Sequence, residues 1–314
     1  MKRWTRQELS GKRVGVLLGG LSVEREVSLR SGAAISQALR SLGYSVVEVD
    51  VQRDVAQRLL EERIDVAFIA LHGRYGEDGC IQGLLESMHI PYTGSGVLAS
   101  AVGMEKVFSK QVFLARGIPT PPYRSFDTVE EALAGLDALP FPLPAVVKPS
   151  REGSSVGVYI CRTREAYAEA VGKAAGLAGS LLVEQFISGH EVQGAVLDDA
   201  SLGAIEIVPA REFYDYEAKY SAGSGTKYLF PAPLPPAQYA RVNDVCLAAH
   251  RALGCSGATR SDCMVTADGD VWLLELNTLP GMTDTSLLPK IAAGQGIDFP
   301  GLCERLLLGA SLKA

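Results

Sequence analysis

The first hundred residues alternate between short apolar runs and amphipathic stretches. Val14-Gly15-Val16-Leu17-Leu18 is continuously apolar and ends in Gly19-Gly20, which predicts a buried strand and a turn. Leu29, Ala33, Ile35, Ala38, Leu39 and Leu42 then recur at helical spacing up to Gly43. Val46–Val49 predicts a second strand, Leu59 and Leu60 a short helix, and Asp65–Leu71 a third strand running into His72-Gly73. Strand, helix, strand, helix, strand implies parallel pairing with helical crossovers.

The pattern changes after about residue 104. A helix is predicted from Met104 to Ala115, stopped by Gly117, and two proline clusters follow (Pro119, Pro121, Pro122; Pro140, Pro142, Pro144). Strands are predicted at Ala145–Lys148, Val156–Ile160, Leu181–Phe186, Val192–Leu197 and Leu202–Val208, with one helix from about Glu165 to Ala175. Strands with so few intervening helices point to a partly antiparallel arrangement. Glu212–Thr226 has no periodicity and is rich in Tyr, Gly, Ser and charge, so it reads as a long loop, a kind of segment that usually carries function. A helix from about Gln238 to Leu253, strands at Ala258–Val265 and Val271–Asn277, and a helical end complete the chain.

Composition narrows the function class. The 314 residues carry a net charge of −6, which offers no bulk attraction to nucleic acid or an anionic membrane. No apolar run approaches the ~18 residues of a membrane span, and the basic start leads into no apolar signal segment. The six cysteines form no Cys-x-x-Cys pair, which suits reduced thiols in the cytoplasm, and the four histidines show no metal-ligand spacing.

Three segments carry candidate chemistry. The first is Lys148-Pro149-Ser150-Arg151-Glu152-Gly153-Ser154-Ser155-Val156-Gly157. Its small residues let backbone N–H groups and hydroxyls approach an oxyanion, and Lys148 can neutralise a phosphate. It is no Walker loop, because no Gly-Lys-Ser/Thr opens a helix; an ordinary hairpin with a surface lysine would look similar. The second segment pairs Arg260-Ser261-Asp262 with Glu275-Leu276-Asn277. If their strands are neighbours, Asp262, Glu275 and Asn277 converge, and alternation puts Glu275 and Asn277 on one face. Two carboxylates and an amide oxygen are hard donors suited to Mg²⁺ bridging nucleotide phosphates. Solvated strand ends would be plainer, but an unpaired charge at Glu275 inside apolar Val271–Leu276 would be costly. The third segment is Gly19-Gly20-Leu21-Ser22-Val23-Glu24-Arg25-Glu26-Val27-Ser28, without the Gly-x-Gly-x-x-Gly of a dinucleotide site. Glu24 could bind an ammonium group while helix N–H groups hold a carboxylate; from this segment alone a helix cap is the simpler reading.

Together these segments resemble the D-alanine–D-alanine ligases of the ATP-grasp superfamily. The similarity runs from about Val14 to the C-terminal helix. It rests on Leu18–Ser28, Ala70–Gly73 with Gly76–Gly79, Pro91–Gly96, Lys148–Gly157, Phe213–Tyr220 and Glu275–Thr283. Their joint occurrence in this order is specific, and the Phe213–Tyr220 run separates this family from other ATP-grasp ligases.

The resemblance implies an α/β chain with an α+β C-terminal part, in a three-domain ATP-grasp fold. Residues 1–103 would form an N-terminal parallel α/β domain with the first D-alanine site. Residues 104–188 would form a central domain, and 189–314 a C-terminal domain with a lid at about 212–226. Lys106 and Lys148 match lysines that contact ATP phosphates, with Ser155 beside them, and Lys219 would join them at the γ-phosphate. Glu184 and Glu191 match residues holding adenine and ribose. Asp262, Glu275 and Asn277 match ligands of Mg²⁺ or Mn²⁺, typically two ions per site. Glu24 matches the residue that binds the first ammonium, and His72 belongs to the same pocket. Arg260 and Gly281 match groups that stabilise a tetrahedral intermediate, and Ser286 and Leu287 line the second D-alanine site. Ser154 and Tyr220 match partners that, with Glu24, lock the lid. The resemblance also implies a cytoplasmic homodimer.

The implied activity is ligation of two D-alanines through an acyl phosphate, for peptidoglycan synthesis. A ligase making D-alanyl-D-serine is the near alternative. D-Lactate fits less well, because Glu217-Ala218-Lys219-Tyr220 follows the dipeptide pattern. A catalytically dead nucleotide-binding regulator would not need intact Asp262, Glu275, Asn277 and Lys148. Three positions depart from the family pattern: Cys80, Leu279, and Gly189-His190-Glu191-Val192-Gln193-Gly194.

Overall fold

A short helix, α1 (Arg6–Leu9), leads into β1 (Arg13–Gly19), α2 (Arg25–Ser41), β2 (Ser45–Val51), α3 (Val55–Glu61) and β3 (Val66–Ile69) in a computed structural model that describes residues 3–151, 153, 157–178, 180–209, 225–283 and 285–313. The three strands form a parallel sheet in the order β2-β1-β3, as the alternation of apolar runs and helices implies. β1 is buried on both faces because it is central. Val14, Val16 and Leu18 meet Ile35 and Leu39 of α2, while Leu17 meets Val49, Leu59 and Ile69. Tyr92 extends the sheet, pairing with Ala67 on one side and Ser311 near the C-terminus on the other.

Next come α4 (Cys80–Ser87), α5 (Val97–Met104) and α6 (Lys106–Ala115). The helix predicted to run unbroken from Met104 is interrupted at Glu105, which is extended (φ −96°, ψ 99°). Tertiary bonds explain the break. Glu105 pairs with Arg151, and the N–H of Lys106 donates to the Ser150 carbonyl at 3.0 Å. A continuous helix would turn both groups away from the second sheet.

That sheet consists of β4 (Tyr123–Phe126), β5 (Ala145–Pro149), β6 (Tyr159–Cys161) and β7 (Leu181–Gln185), antiparallel in the order β4-β7-β5-β6, with α7 (Val129–Ala134) and α8 (Arg164–Ala178) packed on it. The strand predicted at Val156–Ile160 begins instead at Tyr159; Gly157 takes a left-handed φ of +73°, and Val156 lies outside the described residues.

The third sheet is fully antiparallel. β8 (His190–Leu197), β9 (Ala200–Val208), β10 (Lys227–Leu229), β11 (Ala258–Val265) and β12 (Val271–Asn277) run in the order β10-β9-β8-β11-β12. One face packs Val192, Val196, Ala204 and Cys263 on α9 (Pro236–Ala252), where Phe113 of α6 joins them. The other face adds Leu197, Ile205 and Ile207 to a core built with α10 (Leu287–Gly294), α11 (Phe299–Leu308) and the first sheet. The first and third sheets therefore share a core, while the second has its own. Residues 210–224, most of the long loop expected before β10, lie outside the described residues.

Close packing of α2 on β1 depends on Gly32. A Cβ there would lie 2.4 Å from the Leu18 Cβ. Gly→Ala within a helix normally stabilises by ~0.5–1 kcal/mol, but overpacking costs ~1–3 kcal/mol. Gly32→Ala is therefore expected to lower the urea unfolding midpoint; a raised midpoint would show that the sheet yields freely.

Candidate active site

The antiparallel register of β11 and β12 sets the first cluster. Asp262 stands opposite Glu275, and Arg260 opposite Asn277. Arg260 lies two residues from Asp262 and therefore on the same face, and its guanidinium grips that carboxylate through Nε at 2.8 Å and Nη2 at 3.2 Å. The Glu275 Oε2 lies 3.4 Å from the Lys106 Nζ, so the charge is paired, and the side chain is half-buried rather than sealed in the strand. The Asn277 Oδ1 accepts from the Leu279 N–H at 2.9 Å, which fixes the amide.

These residues fit a divalent cation by the chemistry of their donors. Two carboxylates and one amide oxygen sit on adjoining positions of one hairpin. Among the described residues, no group of three or more His, Cys, Asp or Glu is placed to hold a metal ion by itself, so the amide oxygen of Asn277 would have to complete the set. An ion held here would keep coordination positions for phosphate oxygens and water, as Mg²⁺ prefers.

A cleft of about 550 Å³ adjoins this hairpin, between the second and third sheets. Lys148, Glu184, Glu191, Asp262 and Glu275 all line it. The Lys148 Nζ donates to the Glu184 Oε1 at 2.5 Å across β5 and β7. On the far side, the Lys110 Nζ approaches the Glu184 Oε2 at 2.9 Å. Burial alone would raise the Glu184 pKa, but the charges of Lys110 and Lys148 prevail and hold it below the usual carboxylate range. His190, in a segment that departs from the family pattern, bonds the Glu206 Oε1 through Nδ1 at 2.5 Å.

A second pocket continues from the first, with Lys106, Gly153 and Glu275 lining both. Glu24 enters it as the N-cap residue of α2, but its side chain makes no capping hydrogen bond. The carboxylate instead lies against Gly73, where a Cβ would come within 2.6 Å of Oε2. His72 is buried and oriented from both sides, by the Ser31 Oγ at Nε2 and the Glu77 Oε1 at Nδ1, each at 3.2 Å. Opposite stand Gly281, Ser286 and Leu287. Ser286 is the N-cap residue of α10, and its Oγ accepts from the Thr283 N–H at 3.0 Å. Leu287 is the first residue of α10, so its N–H is one of the first-turn donors that the helix's own ladder does not use, a place suited to a carboxylate.

Of the residues singled out from sequence, Glu24, His72, Lys106, Arg260, Glu275, Asn277, Gly281, Ser286 and Leu287 gather in this pocket, and Lys148, Glu184, Glu191 and Asp262 in the adjoining cleft. Ser154, Ser155, Lys219 and Tyr220 lie outside the described residues. Glu77, Lys110 and Gln193 were given no site role from sequence, although Glu77 stands in the Gly76–Gly79 motif and Gln193 in the segment that departs from the family pattern. Gln193 lines the pocket opposite Asp262, with its Oε1 buried and without a hydrogen-bond partner among the described residues. Lys110 is one helical turn beyond Lys106, so the i, i+4 spacing was its only signal.

Two family models match the sequence: "D-ala D-ala ligase N-terminus" over residues 53–95 and "D-ala D-ala ligase C-terminus" over residues 112–308. The chain is 58% identical over 314 residues to D-alanine–D-alanine ligase of Anaeromyxobacter dehalogenans (strain 2CP-C), covering 100% of both chains. Among solved structures, D-alanine–D-alanine ligase from Bacillus anthracis superposes with a TM-score of 0.84 at 38% identity, covering 95% of this chain and 97% of that one. The Bacillus anthracis enzyme complexed with ATP superposes with a TM-score of 0.83 at 35% identity, with the same coverage.

Gly281 tests how tightly this pocket is set. A Cβ there would lie 2.8 Å from the Ser286 Oγ and 4.0 Å from the His72 ring. Gly281→Ala should push Ser286 off Thr283 and lower turnover on the order of 10²-fold, the scale of a 1 Å misplacement. The unfolding midpoint should stay put; unchanged turnover would show that Ser286 has room to adapt.

Proposed function

The chain belongs to the D-alanine–D-alanine ligase family, and from that membership we propose how its own residues divide the work. It is an ATP-dependent ligase that joins two D-alanine molecules into D-alanyl-D-alanine, a peptidoglycan precursor, through an acyl phosphate. The observation that carries this is the 58% identity over the whole of both chains.

In the first step the carboxylate of one D-alanine attacks the γ-phosphate of ATP, giving an acyl phosphate and ADP. Glu24 holds that amino acid by its ammonium, and His72, fixed by Ser31 and Glu77, closes the pocket beside it. The reaction brings anions together, so it needs positive charge in place beforehand. Lys106 and Lys148 supply it, with Lys219 and the Ser155 hydroxyl assigned beside the phosphates from the sequence. Glu184 and Glu191 are assigned to adenine and ribose. Mg²⁺ or Mn²⁺ at Asp262, Glu275 and Asn277, as two ions, would neutralise phosphate charge when bound.

In the second step the amine of another D-alanine attacks the acyl carbonyl and expels phosphate. Ser286 and the Leu287 N–H hold its carboxylate at the start of α10. Arg260 and the Gly281 N–H receive the developing oxyanion, where preorganised donors are most effective. The acyl phosphate hydrolyses in water, so the site must be covered before it forms. The lid at about 212–226, held by Tyr220 and Ser154 to Glu24, is assigned that role from sequence.

We further propose the division into residues 1–103, 104–188 and 189–314, a homodimer, and the cytoplasm as its location. All six cysteines are free, which supports a reducing compartment. No helix among the described residues is long and apolar enough to cross a membrane.

Product analysis tests the acceptor. With ATP and D-alanine, mass spectrometry should show D-alanyl-D-alanine, and equimolar D-serine or D-lactate should yield only minor mixed products. A dominant mixed product would reassign the acceptor. Glu275→Gln keeps its shape but removes a charge, so turnover should collapse with the fold intact; near-normal turnover at low Mg²⁺ would remove Glu275 from the ligand set. Glu24→Gln should raise the KM for D-alanine at the first site about 10- to 100-fold, the scale of a lost charged hydrogen bond of ~1.5–3 kcal/mol. A change confined to ATP affinity would place Glu24 on the nucleotide side.

A further inference from the structure

We propose that Lys110 is a positioning residue for ATP: it neutralises Glu184 from behind, so that the charge of Lys148 stays available to the phosphates. The inference rests on the assignment of Lys148 to those phosphates. Three buried groups carry it. Glu184 is 3% exposed, Lys148 5% and Lys110 0%. The two lysines take opposite oxygens of one carboxylate, Lys148 at Oε1 and Lys110 at Oε2. Lys148 and Glu184 line the nucleotide cleft, whereas Lys110 stands behind them.

Counting charge shows what the arrangement does. One carboxylate shared by two ammonium groups leaves a net single positive charge, and Lys148 is the one of the two that lines the cleft. Without Lys110, Lys148 and Glu184 would form a neutral pair at 2.5 Å. A triphosphate would then have to break that pair, leaving a buried carboxylate uncompensated, which is costly.

Lys110 is held for this role. Its Nζ reaches the Thr120 Oγ1 at 2.5 Å and sits 5.4 Å from the centroid of the Tyr123 ring, a favourable place for a cation. Burial pushes its pKa down to about 8 against the pull of Glu184, so it remains charged at neutral pH.

Inorganic tripolyphosphate with Mg²⁺ is the probe, because it occupies phosphate positions without adenine. Calorimetry on the full chain should show Lys110→Met weakening tripolyphosphate about tenfold or more, the scale of a charged interaction. In turnover, the KM for ATP should rise while the KM for D-alanine holds. Adding Glu184→Gln should restore tripolyphosphate binding to within about threefold of the parent, since Lys148 no longer has a competing charge. A packing role for Lys110 predicts no such rescue, and its absence overturns the proposal. Should Lys110→Met fail to fold, Glu184→Gln alone decides. It should bind tripolyphosphate at least as tightly as the parent, and weaker binding would show that Glu184 orients Lys148 rather than competing for it. Lys148→Met separates the two levels: if it leaves tripolyphosphate affinity unchanged, the assignment of Lys148 fails, whereas an effect there with none from Lys110→Met defeats this inference alone.

Discussion

A cleft that receives a polyanion must hold cations, and a buried cation persists only beside a countercharge. That constraint organises the site. Lys106 pairs with Glu275, Arg260 with Asp262, and Lys110 and Lys148 share Glu184. Each partner stands on a strand whose register is fixed by its neighbours, so the sheets space the charges. Slipping β12 by one residue against β11 would turn Glu275 to the opposite face, away from Asp262 and Lys106.

The same charges join bodies with different cores. The second sheet packs on its own core around Tyr167, Val171 and Val183, whereas the first and third sheets share one. Between the second sheet and the rest, polar links do much of the fastening: Arg151 to Glu105, the Lys106 N–H to the Ser150 carbonyl, and Lys110 of α6 to Glu184 of β7. An interface built on polar links adjusts more readily than an apolar core, which cannot shift without opening cavities. A ligase that admits three substrates and then shuts out water benefits from having its seam there.

Elements with strong local pattern were legible in the sequence. The apolar run at β1 and the spacing of α2 announced the parallel sheet, and the pairing of Asp262 with Glu275 followed once their strands were taken as neighbours. Weakly patterned elements were not. β4 has four residues and follows a proline cluster, and the break at Glu105 comes from bonds to Ser150 and Arg151, distant in sequence. The placing of Glu24 needed three dimensions too, although the family resemblance had already suggested its role. In sequence an acidic residue at a helix start reads as a cap, and only the missing cap bond and the approach of Gly73 place its carboxylate in the pocket.

Glycine does in the pocket beside Glu24 what paired charge does in the cleft. Gly73 has a φ of +68° and lies so near Glu24 that a Cβ would meet its carboxylate, while Gly281 brings backbone up to Ser286 and His72. Where a backbone comes that close, its N–H can serve a substrate directly and no side chain fills the space. Such a wall is rigid, because it cannot rotate away as a side chain can. A rigid wall discriminates by steric exclusion, which is sharper against an added branch than against a missing methylene. In the division of work proposed above, these close approaches hold Glu24 and Ser286 in place, and recognition of the amino acid's charged ends falls to Glu24 and the N-terminus of α10.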